Sequence, residues 1–455
     1  MFVNREKEIE RLERVLGSDM AQLIVIYGRR RCGKSTLLRK VMNDATVYFA
    51  ADMRETPLQI MAIAQRIEKI LPGFARPVYP DWDTLFRSLN TALKSRITLC
   101  IDEFPYLVKN APELPSILQN IHDDAAHGNF NIILCGSSQM MMHGLVLDSH
   151  APLYGRADEI IKIQPMSVAY LRKFLKLSAL DAVTEYSIWG GVPRYWEIRK
   201  SCSSLDEALR QYVVNNHGLL IDEPERLFSD EIRTSVQAFT LLSLIGSGYH
   251  RLSELAARME KPATSLSHAL AFLTELKYIR REIPFGESLR STKRSLYKIN
   301  DPFLNFYFTF IVPEKSRIDL GLTVQVMNEI KKKMPLFTSV SWEELCRKSV
   351  RFIVKEVEFN SAFRWWGKGI DGNPMEIDIV AESKDKQTLL VGEARWSEKS
   401  DLAKAMEEIF RKIQNLPFAH KYKAEPVLFA KVKPPVIPDG IRVFGPEEVV
   451  SAGGF

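Results

Sequence analysis

The 455-residue chain is long enough for about three domains. With 46% hydrophobic and 26% charged residues it is no wholly disordered polymer, and a net charge of +6 is too mild over this length to name a partner. Five scattered cysteines without a CxxC pair argue against a disulfide framework or structural zinc, no apolar run reaches the roughly 18 residues of a membrane helix, and the charged opening MFVNREKEIERLERVL is no secretory signal, so a cytoplasmic protein with no membrane partner is expected.

Residues 1–165 alternate short apolar runs with helical patterns: LIVIYG (23–28), ATVYFA (45–50), ITLCID (97–102), NIILCG (131–136) and EIIKIQ (159–164). Runs this apolar fill a parallel sheet covered on both faces, so an α/β layered core is predicted. Directly after the first run, and before a helical pattern, stands Gly28-Arg29-Arg30-Arg31-Cys32-Gly33-Lys34-Ser35-Thr36, which satisfies GxxxxGK[ST]. Glycines at these positions let backbone amides curl around phosphates, and the helix start adds its positive end. Lys34 is the candidate contact to the β- and γ-phosphates of ATP, and Ser35 a candidate Mg²⁺ ligand. The three loop arginines either add to phosphate attraction or face solvent. Cys32 is either a small filler or a thiol that makes the site reactive.

The third run ends in Asp102-Glu103. Asp102 is the second candidate Mg²⁺ ligand, and Glu103 the candidate that orients or deprotonates the attacking water, which separates hydrolysis from binding alone. From 166 to 228 strand patterns stop and helices dominate, as in a small lid.

The loop, the Asp102-Glu103 pair and the strand end Gly136-Ser137-Ser138 resemble the AAA+/STAND branch of P-loop ATPases, and more closely an archaeal-type ATPase family whose C-terminus carries a domain of unknown function. The resemblance spans nearly the whole chain. It implies that Phe2-Val3-Asn4-Arg5-Glu6 lies near the adenine and that Ser137 senses the γ-phosphate. It also implies that Arg156, in Pro152-Leu-Tyr-Gly155-Arg156, acts as a finger on a neighbouring copy's phosphate, and hence a homo-oligomer. Gly190-Gly191-Val-Pro193-Arg194 matches a lid motif, giving Pro193 and Arg194 a place at the nucleotide. Each has a plainer alternative: Ser137 ends a strand, Arg156 pairs with Asp158 or Glu159, and Arg194 is a surface charge.

Residues 229–300 carry three helical patterns and then two strand-like runs, IRREIPF and SLYKIN, the order of a winged helix-turn-helix. Residues 251–298 hold ten basic and five acidic side chains, nearly the whole excess of the chain. Arg290, Lys293 and Arg294 would sit at the wing tip, and Thr264, Ser265, Ser267 and His268 at the start of the recognition helix. DNA contact and docking onto protein both remain open, and any DNA binding is expected to be sequence-independent. Residues 301–335 read as a packed aromatic connector, PFLNFYFTFIV, ending in a linker at Lys331–Lys333 and Pro335.

Residues 336–455 read as a second α/β domain. Glu376 and Asp378 share one strand face, and Glu393 and Arg395 share a face of the next strand. The pattern resembles the PD-(D/E)xK nucleases, a restriction-endonuclease-like fold in which Asp378 and Glu393 would hold Mg²⁺, with Glu343 as accessory acid. Arg395 stands where that family has lysine. An arginine cannot act as a general base, though it can stabilise phosphate charge. Three readings stay open: DNA cleavage, a binding-only fold, and an unrelated domain. Trp365, Trp366 and Trp396 are expected in the core. The sequence therefore points to an ATP-dependent protein that binds or cuts DNA, with a nucleotide-controlled signalling switch as the alternative.

Overall fold

The computed structural model describes residues 4–123, 129–146, 148–231, 235–288, 290, 292, 294–398, 402–434 and 436–452. The chain divides into two compact units, Met1–Pro165 and Met166–Phe455.

The first unit holds five parallel strands, β1 (Leu23–Gly28), β2 (Thr46–Ala50), β3 (Ile97–Asp102), β4 (Phe130–Gly136) and β5 (Glu159–Ile163), in the order β2-β3-β4-β1-β5. Every residue of β1 and β4 is buried, as the unbroken apolar runs predict for strands covered on both faces. Trp82, Phe86 and Leu89 of the helix Trp82–Ala92 and Ile60, Ile63 and Ile67 of the helix Thr56–Ile67 pack on the sheet. The first of these helices is capped by Asp81, which accepts from the Thr84 amide at 2.7 Å. Because all five strands run one way, the loop after β1 and the acids ending β3 emerge at the same edge of the sheet.

In the second unit, helices from Val168–Leu175 to Glu223–Glu231 come first. Three more, Ser235–Gly246, Leu252–Arg258 and Ala263–Glu275, lead into an antiparallel ribbon of β6 (Ile279–Glu282) and β7 (Leu296–Ile299). In the aromatic segment Phe303, Phe306, Tyr307, Phe308 and Phe310 are all buried. The expected linker is not there. Lys331–Lys333 and Pro335 lie inside one helix, Thr323–Ile353. Proline forfeits one helical hydrogen bond, but buried Val326, Met327 and Ile330 before it and Phe337, Trp342 and Leu345 after it anchor the helix on both sides.

A mixed sheet closes the chain, with β8 (Phe363–Lys368), β9 (Pro374–Glu382), β10 (Thr388–Arg395), β11 (Lys423–Ala430) and β12 (Arg442–Phe444) in the order β12-β11-β10-β9-β8. β8, β9 and β10 form an antiparallel meander, while β11 runs parallel to β10 after the crossover helix Leu402–Asn415. Trp342, Leu345 and Val350 pack on Ile379, Leu390, Val427 and Phe429. Val168, Ala179, Ala182 and Val183, from the segment expected as a lid, join this same core.

Gly392 lies opposite Val427, and a Cβ at 392 would sit 1.9 Å from the Val427 carbonyl oxygen. Backbone cannot yield as a side-chain tip does, so Gly392→Ala should cost about 2–3 kcal/mol and lower the second unit's melting midpoint by several degrees. Calorimetry showing an unchanged midpoint would contradict this close approach.

Candidate functional site

At the first sheet's edge the chain leaves β1 through Arg29, which is buried, and Arg30, which is exposed. Gly33 takes φ +91°, a left-handed conformation that turns the chain into the helix Lys34–Val41 and that a side chain would strain. Cys32 is wholly buried, which fits the filler reading. The Lys34 ammonium, 5% exposed, donates to the carbonyls of Gly28 at 2.8 Å and Arg29 at 3.1 Å. Thr36 is exposed at the helix start.

Asp102 is the hub. Its Oδ2 accepts from the Ser35 hydroxyl at 2.8 Å and the Tyr48 phenol at 2.6 Å, and its Oδ1 from the Glu103 amide at 3.0 Å. Burial, and then the Asp102 carboxylate, push the Tyr48 phenol well up, so it stays a donor. Glu103 adopts φ +55°, unusual for a residue with a side chain. Its carboxylate accepts from the Ser137 hydroxyl at 2.8 Å and the Ser137 amide at 3.2 Å. Ser35, Asp102, Glu103 and Ser137 are thus one connected group. Tyr48 was missed because its role follows from β2 lying beside β3, which no local pattern announces.

Arg5 is buried and donates to the carbonyls of Cys32 at 3.3 Å and Gln164 at 2.6 Å, which ties the N-terminal segment to the loop. Phe2 and Val3 lie outside the described residues. Arg156 pairs with neither Asp158 nor Glu159; its Nε donates to Asp123 at 2.9 and 3.0 Å. Asp158 instead accepts from the Leu23 amide, and Glu159 is taken by Arg11 and Arg14. In the second unit, Pro193 opens the helix Pro193–Lys200, and Arg194 is exposed and paired with Glu197 at 2.9 Å.

A second cluster sits in the C-terminal sheet. The register Gly392↔Ile379 sets Glu393 opposite Asp378, whose Oδ2 accepts from the Ala394 amide at 3.1 Å. Glu393 is 4% exposed; burial, and then the Asp378 carboxylate, push its carboxyl up to about 7 against the pull of Lys412 and Arg395. The same two causes raise Glu343. Arg395 reaches Glu393 at 3.2 Å but is also held by Glu408 at 2.7 Å. Lys412, on the crossover helix, touches Glu393 at 2.7 Å. Sequence reasoning missed Lys412; the available signal was a lysine set between Ile409 and Ile413 on the inward stripe of that helix. Glu376 is exposed, bound to Arg364 and apart from the cluster. Among the described residues no three His, Cys, Asp or Glu side chains group as a metal cage.

The ribbon's basic charge is largely spent inside the protein. Arg280 pairs with Glu282 at 2.9 Å and Glu344 at 2.8 Å, and Lys298 with Glu282 at 3.3 Å. Arg294 binds Glu287 and donates to the Trp366 carbonyl at 3.2 Å. Arg290 is exposed, and Lys293 lies outside the described residues. Thr264, Ser265, Ser267 and His268 are exposed on their helix. Trp365 is buried edge-on to Phe418, and Trp396 packs on Trp342, so both serve the core.

A parallel sheet of this order, with a GxxxxGK[ST] loop after β1 and the acid pair ending β3, defines a P-loop ATPase fold. Residues 2–197 match a family described as an ATPase domain predominantly from Archaea, and residues 307–409 match one described as archaeal and bacterial proteins of unknown function. An uncharacterised protein of Methanocaldococcus jannaschii is 31% identical over 422 residues, 90% of this chain and 92% of that one. The chain belongs to the family of that protein, and it carries the archaeal ATPase domain and the domain of unknown function in one polypeptide. An ATP-binding protein of the same organism is 47% identical over 47 residues, 10% of this chain and 80% of its own. A Walker-type ATPase of Pyrococcus abyssi shares the fold, with a TM-score of 0.53 and 21% identity, over 68% of this chain and 96% of that one. Among the described residues no helix is long and apolar enough to cross a membrane.

A carboxyl whose folded value is raised stabilises the fold when protonated, fully below the ordinary value of 4.5, and that contribution is lost as pH rises through about 7. In EDTA the wild type's melting midpoint should therefore fall relative to Glu393→Gln between pH 5 and 8, by an amount worth about 2–3 kcal/mol. Parallel pH profiles for the two proteins would refute the assignment.

Proposed function

We propose that the chain is a magnesium-dependent ATPase whose nucleotide cycle drives DNA handling by the second unit. The observation that carries this reading is the Asp102 carboxylate joined to the Ser35 hydroxyl, with Glu103 turned beside it onto Ser137. Ser35 and Asp102 offer only hard oxygen atoms, which suits Mg²⁺. The ion would neutralise phosphate charge. Loop amides and the helix start bind the phosphate tail, and Lys34 exchanges its two carbonyl partners for phosphate oxygens. Glu103 takes the proton of the attacking water while Ser137 holds its carboxylate in place. Arg156, once released from Asp123, is available to a neighbouring copy in a homo-oligomer.

For the second unit, a helix, an antiparallel meander, a crossover helix and a parallel strand in that order support the nuclease-like reading, as does the pairing of Asp378 with Glu393. Their carboxylate oxygens suit a divalent ion that would activate water and steady the phosphodiester. Lys412 supplies the ammonium missing at 395, and an ammonium, unlike a guanidinium, can shed a proton. The three helices and ribbon of residues 235–299 are read as a winged helix that presents Thr264, Ser265, Ser267 and His268 to DNA. One observation favours the signalling switch instead: the ribbon is docked on the C-terminal sheet, where the Phe285 amide donates to the Arg364 carbonyl at 2.8 Å.

In a phosphate-release assay Glu103→Gln should lower kcat about a hundredfold while calorimetric ATP affinity holds. Lys34→Ala should weaken that affinity roughly a hundredfold. Turnover of Glu103→Gln at the wild-type rate would remove Glu103 from the chemistry.

For the second centre, Mg²⁺- or Mn²⁺-dependent cleavage of duplex, branched and single-stranded DNA should be lost in Asp378→Ala and fall at least about a hundredfold in Lys412→Met. An intact Lys412→Met beside a dead Arg395→Ala would return the role to Arg395. No cleavage by the wild type would leave the switch.

A further inference from the structure

Within the second unit, the ribbon, the helix Thr323–Ile353 and β8 line an open cavity of about 340 Å³. Six cations line it, Arg280, Arg281, Arg347, Lys348, Arg351 and Arg364, against two carboxylates, Glu282 and Glu344. Residues 344, 347, 348 and 351 follow helical spacing, so one face of a single helix supplies half of these cations.

The carboxylates are already shared out. Glu282 serves Arg280 at 2.9 Å, Lys298 at 3.3 Å and Arg364 at 3.3 Å, while Glu344 serves Arg280 at 2.8 Å and Lys348 at 2.6 Å. Although burial would raise both carboxyls, the surrounding cations hold them well below the usual carboxylate range. Both are therefore ionised, and with Glu376 on Arg364 and Glu343 beside Arg347 the six lining cations still outnumber these four carboxylates. Arg347, only 8% exposed, lies 3.9 Å from Glu343 and donates to the Asp378 carbonyl at 3.0 Å. The buried Arg364 Nε has no hydrogen-bond partner among the described residues. Partly desolvated like charges are costly unless an anion completes the cluster. Guanidinium forks fit phosphate oxygens in pairs.

We propose that this cavity is a binding site for the phosphate groups of an anionic chain, a polynucleotide backbone or a free polyphosphate. Through Arg347 and the Asp378 carbonyl it adjoins the Asp378–Glu393 centre, so a backbone phosphate held here places neighbouring phosphodiesters toward those acids. The polynucleotide identity rests on the DNA reading above; the cation surplus does not.

The test uses the full chain in EDTA, where cleavage plays no part. Lys348→Gln/Arg351→Gln removes two exposed cations, and an unchanged melting midpoint and ATP turnover establish that the fold is intact. Anisotropy with labelled duplex and single-stranded 20-mers should show about tenfold weaker binding at 0.1 M salt, and a salt slope smaller by about two. Calorimetry with inorganic tripolyphosphate forms the second arm. Loss of oligonucleotide binding identifies the polymer as ligand, and loss of tripolyphosphate binding alone identifies the free polyphosphate. Wild-type binding of neither probe, or identical binding by variant and wild type, overturns the proposal. If the separate Mg²⁺ assay shows Asp378-dependent cleavage while the double variant keeps its oligonucleotide affinity in EDTA, the cavity alone is overturned. Weakened binding in EDTA with no wild-type cleavage in Mg²⁺ would overturn only the nuclease reading.

Discussion

One buried carboxylate holds the nucleotide end together. Asp102, 4% exposed, receives three donors at once: the Ser35 hydroxyl, the Tyr48 phenol and the Glu103 amide. A carboxylate taken out of water is tolerable only when its oxygens are so satisfied. The same bonds fasten the helix after the loop to β2 and β3. They also aim Glu103: its amide is fixed on Asp102, its backbone is left-handed, and its side chain is delivered to Ser137 at the end of β4. The loop contributes amides and a lysine, but where those groups stand relative to the acids is decided at Asp102.

Much of the fold was legible because the apolar runs are unusually clean. LIVIYG, ITLCID and NIILCG became β1, β3 and the body of β4 within a residue, since strands covered on both faces leave no polar alternation to blur their ends. The loop and the acid pair were legible for a different reason, because phosphate binding fixes residue types at fixed spacing. What escaped was pairing over distance. Tyr48 lies 54 positions from Asp102, and Lys412 lies 19 from Glu393 on a helix that only the crossover brings back. Pro335 misled because proline usually marks a boundary, whereas here tertiary packing on both sides outweighs one lost hydrogen bond.

Charge was the least legible property. A count of ten basic against five acidic residues over 251–298 treats every side chain as if it faced solvent. In the structure Arg280, Lys298 and Arg294 answer carboxylates and a carbonyl within the second unit, and Glu344 and Trp366, two of their partners, lie outside the counted window. A local surplus in sequence therefore locates a basic segment without saying whether it is a surface or an internal fastening. Of that window only Arg280 and Arg281 line the cavity against the helix Thr323–Ile353; its other four cations come from residues 347–364, a place no running count of the sequence singles out.

That helix has a mechanical consequence. At about 1.5 Å per residue its 31 residues make a shaft roughly 46 Å long. Lys331, in its first half, is fastened to Asp206, while Arg347, near its far end, grips the strand that bears Asp378. Residues 205–212 and the acidic strand thus meet the two halves of one continuous helix, with Pro335 as the only proline along its length.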